Sequence, residues 1–298
     1  MPLEDYIIHV FCLIDDLYQD LLLTCKVRKS GYRPILADSE IISMLVVGEL
    51  LGFSDNKKIW LYFKSHYLDY FPNLDYVRYK IFNKQATCLW HVIRIIHGKL
   101  LTKIGKWSLY LADGIPFPVC HLARAGRSRL FKDKVARHYY AAKKEHYYGF
   151  KILLVTTESG IPIDYAIDAA NVDERILLTN TSIPANSIVI ADKGFISEEL
   201  ALSLQQQANI TLLTPKRKNM LQQISGKLAN TITSIRKRIE TSISQLTESF
   251  SINTTKARSF HGLLGRINRK ILSYTTALFF NYQLVKDQFT QLKSLIQA

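Results

Sequence analysis

The chain has 298 residues, 48% of them hydrophobic and 21% charged. This composition excludes a disordered or low-complexity protein and leaves room for one large domain or two ordinary ones. Lys and Arg total 39 against 25 Asp and Glu, a formal net charge of +14. An excess of that size favours a polyanionic partner, nucleic acid first, because neutralising phosphates releases counterions. Cys12, Cys25, Cys88 and Cys120 form no C-x-x-C pair, which argues against a zinc ribbon and for free or buried thiols in a reducing compartment. No uncharged apolar run is long enough for a bilayer span, and Met1 to Asp16 lack the basic start of a secretory signal. The expectation is a soluble cytoplasmic protein with no membrane partner.

Residues 1–105 read as helical. Ile7, Val10, Phe11, Ile14 and Leu17 recur at helical spacing. Asp38-Ser39-Glu40, just after Pro34, opens an apolar stretch that should end near Gly52. Further helices are expected over about 59–70 and 80–104. The pattern changes near Gly105. Trp107 to Ala112 reads as a buried strand ending in Asp113-Gly114, and the basic stretch from Arg124 to Lys144 as a loop. Tyr147 to Thr156 and Ile161 to Ile167 should form a hairpin around Ser159-Gly160. A helix opened by Asp173, a strand from Ser187 to Ala191, a helix capped by Ser197 and a strand from Ile210 to Leu213 follow. A long helix over about 228–246 and a helical tail complete the chain. The order predicts an α/β fold, a sheet flanked by helices, over 106–298, preceded by an all-helical N-terminal domain at 1–105.

Two aspartates share one setting. Asp113 and Asp192 each follow a short apolar strand and precede glycine, directly or after Lys193. Sites in open α/β sheets gather outside the carboxyl ends of strands. Glu240 lies on the long late helix among Arg236, Lys237 and Arg238, and basic neighbours hold a carboxylate ionised. Taken singly, each acid has an ordinary explanation. Asp-Gly is a common turn, and Arg236 with Glu240 is an i,i+4 ion pair. As a set, three carboxylates suit phosphodiester chemistry, in which two divalent ions about 4 Å apart stabilise the attacking and leaving oxygens. Magnesium prefers such oxygen ligands. Asp164 and Asp168 read as structural, Asp173 as a helix cap, and His121, His138 and His146 are not at ligand spacing.

At Leu109 to Gly114, Tyr148 to Lys151, Gly160-Ile161-Pro162, Ala170 to Glu174, Ile190 to Phe195 and Arg236 to Thr241, the chain resembles the short bacterial insertion-sequence transposases of the DDE type. The resemblance spans about residues 107–275, and Ala-Asp-Lys-Gly-Phe is its most specific piece. It implies an RNase H-like mixed sheet, with Asp113, Asp192 and Glu240 as the catalytic and metal-binding acids. It also implies two Mg2+ ions, with Mn2+ as a substitute, and double-stranded DNA (element ends and target) as the partner of a homodimer. The implied activity is binding of terminal inverted repeats, then cleavage and strand transfer. The chain departs from many relatives at Thr233, where they carry Tyr, and at Thr247, where they carry Lys. The alternatives are a catalytically inactive or domesticated DNA-binding copy, or a nuclease that cuts without joining.

The stretch holding Arg124, Arg127, Arg129, Lys132, Lys143 and Lys144, interleaved with tyrosines, reads as a DNA-binding arm. Lys193, Lys216, Arg217 and Arg236 are further candidate DNA contacts. The front helices are expected to bind the element ends, although no recognition helix stands out in them.

Overall fold

A computed structural model describes residues 1–28, 33–53, 55–140, 144–215, 226–254, 257–284 and 292–296. The chain divides into two compact units, Lys106–Gln245 and a unit made of Met1–Gly105 with Leu246–Ala298.

The first of these is the α/β unit. Its centre is β1 (Leu109–Cys120), antiparallel to β3 (Glu145–Thr157) and parallel to β5 (Ile188–Ile190). β4 (Pro162–Ala169) returns antiparallel on β3, through a turn in which Gly160 holds φ +81°, a conformation that favours glycine. β6 (Thr211–Leu213) adds parallel to β5, giving the mixed sheet order β4-β3-β1-β5-β6 that the RNase H-like expectation requires. β2 (Ala136–Tyr140) pairs with the start of β3.

Both faces of the sheet are covered, as the near-continuous apolar runs demand. On one face Tyr110, Ala112, Val189 and Ala191 pack with Leu177 and Leu178 of α6 (Glu174–Thr179) and with Leu200 and Leu204 of α7 (Glu198–Ala208). On the other, Leu111 and Ile190 meet Ile232 and Ile239 of α8 (Gly226–Glu248). The caps are those the sequence signals. Asp173 accepts from the Arg175 N–H at 2.9 Å, and Ser197 from the Leu200 N–H at 3.2 Å.

The helical unit contains α1 (Leu3–Thr24), α2 (Asp38–Leu50), α3 (Asn56–His66), α4 (Tyr79–Cys88), α5 (Trp90–Ile104) and α9 (Phe260–Gln283). Glu40 accepts from the Ala37 N–H at 2.6 Å at the start of α2, and Gly52, at φ +83°, follows its end. Sixteen residues of α9 are buried, so it forms a core element of this unit. Polar side chains join the early and late segments. The Ser273 hydroxyl donates to Val46 O at 2.6 Å, and the Asn268 amide to Trp90 O at 2.8 Å. Most notable is Glu49, 1% exposed, whose carboxylate receives both Arg269 and Lys270, each 3% exposed or less.

The structure differs from the sequence expectations in four places. β1 does not end at Asp113-Gly114 but continues to Cys120, because β3 stays paired with it through Asp113↔Leu154 and Gly114↔Leu153. The stretch 124–144, expected as a loop, contains β2 and a 3-10 turn at Leu122–Arg127. The helix expected over 80–104 is two helices that meet at Leu89. The tail grouped with the α/β segment belongs instead to the helical unit, where α9 buries its apolar side against the early helices. Among the described residues, no helix is long and apolar enough to cross a membrane.

Candidate active site

β1 and β5 run parallel in the register Leu109↔Ile188, Tyr110↔Val189, Leu111↔Ile190. Asp113 lies two residues past the last position of β1 that pairs with β5, and Asp192 two residues past the end of β5. Side chains alternate along a strand. With Leu111 on the α8 face, Asp113 falls on that face too, and Asp192 caps the turn that follows β5. The charge of Asp192 acts on the Asp113 carboxyl, so the two aspartates lie near each other.

Asp113 is largely withdrawn from water. Burial pushes its carboxyl up to about 6, opposed by the Gly114 N–H it accepts at 2.8 Å and by the Arg236 guanidinium. The negative charges of Asp192 and Glu174 push in the same upward direction. Asp192 is half-buried and caps the 3-10 turn Lys193–Phe195, accepting from the Gly194 N–H at 2.5 Å. Arg236 rises from α8 one turn before Glu240; its Nε is buried and has no hydrogen-bond partner among the described residues.

Glu174 is the acidic neighbour that the sequence argument did not select. It stands in the first turn of α6, behind the Asp173 cap. Its carboxyl occupies the space beside two glycines. A Cβ on Gly114 would lie 2.5 Å from Glu174 Oε1, and one on Gly194 would lie 3.8 Å from Oε2. Lys151, 8% exposed on β3, places its Nζ 3.5 Å from Glu174 Oε1 and donates to Val172 O at 3.3 Å. Burial raises the Glu174 carboxyl, Lys151 lowers it, and Asp192 raises it again. No spacing along the chain marks Glu174, whose place beside Gly114 comes from the packing of α6.

Glu240 is exposed on α8. Among the described residues, no group of three or more His, Cys, Asp or Glu side chains is close enough to hold a metal. The charges of Asp113, Asp192 and Glu174 act on one another, and Glu240 stands exposed on α8. Asp164, weighed as a rival, is structural. It accepts from the Ser182 N–H at 2.8 Å.

Of the expected DNA contacts, Arg124, Arg127, Arg129, Lys132, Lys144 and Lys193 are exposed. Arg236 is half-buried and turned to Asp113 rather than displayed on the surface. Lys143, Lys216 and Arg217 lie outside the described residues.

No curated protein and no solved structure matches the chain. The family model described as the transposase DDE domain matches residues 103–260, a span that takes in Asp113, Asp192, Glu174 and the whole of α8. The chain belongs to the transposase DDE-domain family.

Proposed function

We propose that the protein is a DDE transposase that binds the terminal inverted repeats of an insertion sequence and carries out metal-dependent cleavage and strand transfer on double-stranded DNA. The observation that carries this reading is the nearness of two carboxylates, Asp113 on β1 and Asp192 just past the end of β5, inside the segment that matches the family. The residues fit divalent metal binding in part. The donor set is all oxygen, and burial pushes Asp113 up to about 6 beside a second carboxylate, so a cation would relieve the cost of ionising it.

Asp113 and Asp192 would hold the metal, with Glu240 completing the set if α8 brings it inward. When bound there, magnesium supplies the charge that stabilises the attacking and leaving oxygens of a phosphodiester. Arg236 favours the ionised form of Asp113. The exposed Arg124, Arg127, Arg129 and Lys132 would lie along the DNA backbone, and Lys193, next to Asp192, would meet the scissile phosphate. Binding of the element ends falls to the helical unit, and a homodimer would hold two ends together.

The test is a magnesium-dependent assay on DNA carrying the element's ends. Asp192→Ala should abolish nicking and strand transfer, by at least about a hundredfold given the share of the barrier that metal-stabilised charge removes. Retention of wild-type activity in that variant would overturn the assignment. A second reading, a DNA-binding protein of this fold without catalysis, is favoured by one observation, the exposed position of Glu240. It predicts DNA binding with no cleavage under magnesium or manganese.

A further inference from the structure

One face of α9 carries Arg258, just before its first turn, then Gly262, Gly265, Arg266 and Arg269 at i+3 and i+4 spacing. This face lines a cleft of about 400 Å3 in the helical unit, whose opposite wall includes Tyr79, Asn83 and Thr87 of α4. Three arginines and no carboxylate line it. Gly262 and Gly265 form part of the α9 wall.

Two independent features point to an anion. The cleft lies at the start of a 24-residue helix, capped by Ser259, whose hydroxyl accepts from the Gly262 N–H at 3.1 Å. A helix start carries partial positive charge and favours phosphate. The other feature is Arg269, 3% exposed. Its Nε is taken by Glu49 and its Nη1 by Asn56, whereas its Nη2 is buried with no acceptor among the described residues. A buried donor left unmatched is costly and is relieved by an acceptor oxygen. Two acids stand nearby, and their charges favour the ionised form of Arg266. Glu49 is shared between Arg269 and Lys270, and Asp55 accepts from the Lys57 and Lys58 N–H groups as the cap of α3. Burial and the charge of Arg269 lower the Arg266 guanidinium from its ordinary value, and the charges of Glu49 and Asp55 raise it.

We infer that this cleft is a phosphate site that takes one backbone phosphodiester of the bound DNA, clamped between Arg258, Arg266 and the buried Arg269. The inference rests on the proposed DNA-binding function and gives the helical unit a specific contact within it.

The experiment uses the full chain and a short random-sequence duplex, with affinity followed across a salt series and folding followed by thermal melting. Arg266→Gln should weaken duplex binding about fivefold to tenfold at low salt. It should also flatten the log–log salt slope by about 0.9, the change for one phosphate contact on duplex DNA. Thr87→Glu, which sets a carboxylate at the exposed mouth of the cleft, should weaken binding by a similar factor, and Thr87→Gln should not. Inorganic phosphate should compete with the duplex for the wild-type protein. Binding of inorganic phosphate that Arg266→Gln removes while duplex affinity and slope stay unchanged would make this a small-anion site and overturn the DNA assignment. Unchanged binding of both probes in Arg266→Gln and Thr87→Glu would overturn the site altogether. If the wild-type protein binds no duplex, the proposed function falls with it. If it binds and cleaves DNA while both variants match it, only the cleft assignment falls.

Discussion

Lys151 and Glu174 form an ion pair, Nζ to Oε1 at 3.5 Å, that spans from the middle of β3 to the first turn of α6 and sets a third carboxyl beside Asp113 and Asp192. The space for it exists because residue 114 is glycine. Gly114→Ala would drive a methyl to 2.5 Å from the Glu174 carboxyl. That carboxyl is the far end of a flexible side chain, so it swings aside, and the fold should lose less than about 1 kcal/mol. In a Glu174→Ala background the same change should be neutral or stabilising by about 0.5 kcal/mol, since alanine orders a strand better than glycine. Denaturant unfolding of the four proteins of this cycle measures the difference; simple additivity would show that Glu174 does not occupy the space.

Asp113 should give the metal-free protein a falling stability between about pH 4 and 6. Its folded carboxyl is raised to about 6 from the ordinary 3.8, so the folded state holds the proton over that window and the unfolded state does not. Stability therefore declines as pH rises through it. Asp113→Asn removes this penalty. At pH 7 without metal the variant should be more stable by about 1–3 kcal/mol, an advantage that vanishes near pH 4. Thermal melts of both proteins in chelator at the two pH values check this. Adding magnesium should stabilise the wild-type protein and not the variant.

Gly149 should be the least replaceable glycine of the sheet. It pairs with both Pro118 and Ala136, where the β1–β3 register slips between Pro118 and Cys120. A Cβ there would lie 2.1 Å from Phe117 O and 2.9 Å from Val119 N. These are backbone atoms held by the ladder, so they cannot yield cheaply. Gly149→Ala should cost at least about 2–3 kcal/mol. Urea unfolding of the variant is the measurement, and a loss under 1 kcal/mol would mean the strand has room the geometry denies it.

Glu49 should matter more to stability than any surface acid. With Arg269 and Lys270 both buried against it, Glu49→Gln strands two cations in the core. The expected cost is about 3–5 kcal/mol. Lys270→Met alone leaves the Arg269–Glu49 pair intact and should cost less, and combined with Glu49→Gln it should recover part of the loss. Calorimetric unfolding of the three variants gives the ranking.

The strands that lead to Asp113 and Asp192 were legible because burial on both faces of a sheet writes itself as a short apolar run, and Tyr110-Leu111-Ala112 and Val189-Ile190-Ala191 are such runs. The extension of β1 was not. Gly114, Pro116 and Pro118 look like breakers, and only the partner strand β3 shows why the chain stays extended through them. β2 hid within a charge run because Ala-Arg-His-Tyr-Tyr has no buried face to mark it. The break at Leu89 carries no Gly or Pro. Glu174 was invisible for another reason. Its relation to Asp113 lies in no spacing along the chain but in the packing of α6 over the strand ends. The partnership of α9 with the early helices was likewise unreadable, since an apolar stripe states that a helix is covered and not by what.

Glu49 and Lys270 are separated by 221 residues, with the whole α/β unit between them. On the ribosome, α2 emerges long before the segment that neutralises its buried acid. Until α9 has been translated, the early helices carry a core carboxylate with neither of its cations. The helical unit therefore completes only after the α/β segment has been made, so a polypeptide released early would lack a finished helical unit even if Asp113 and Asp192 were already in place.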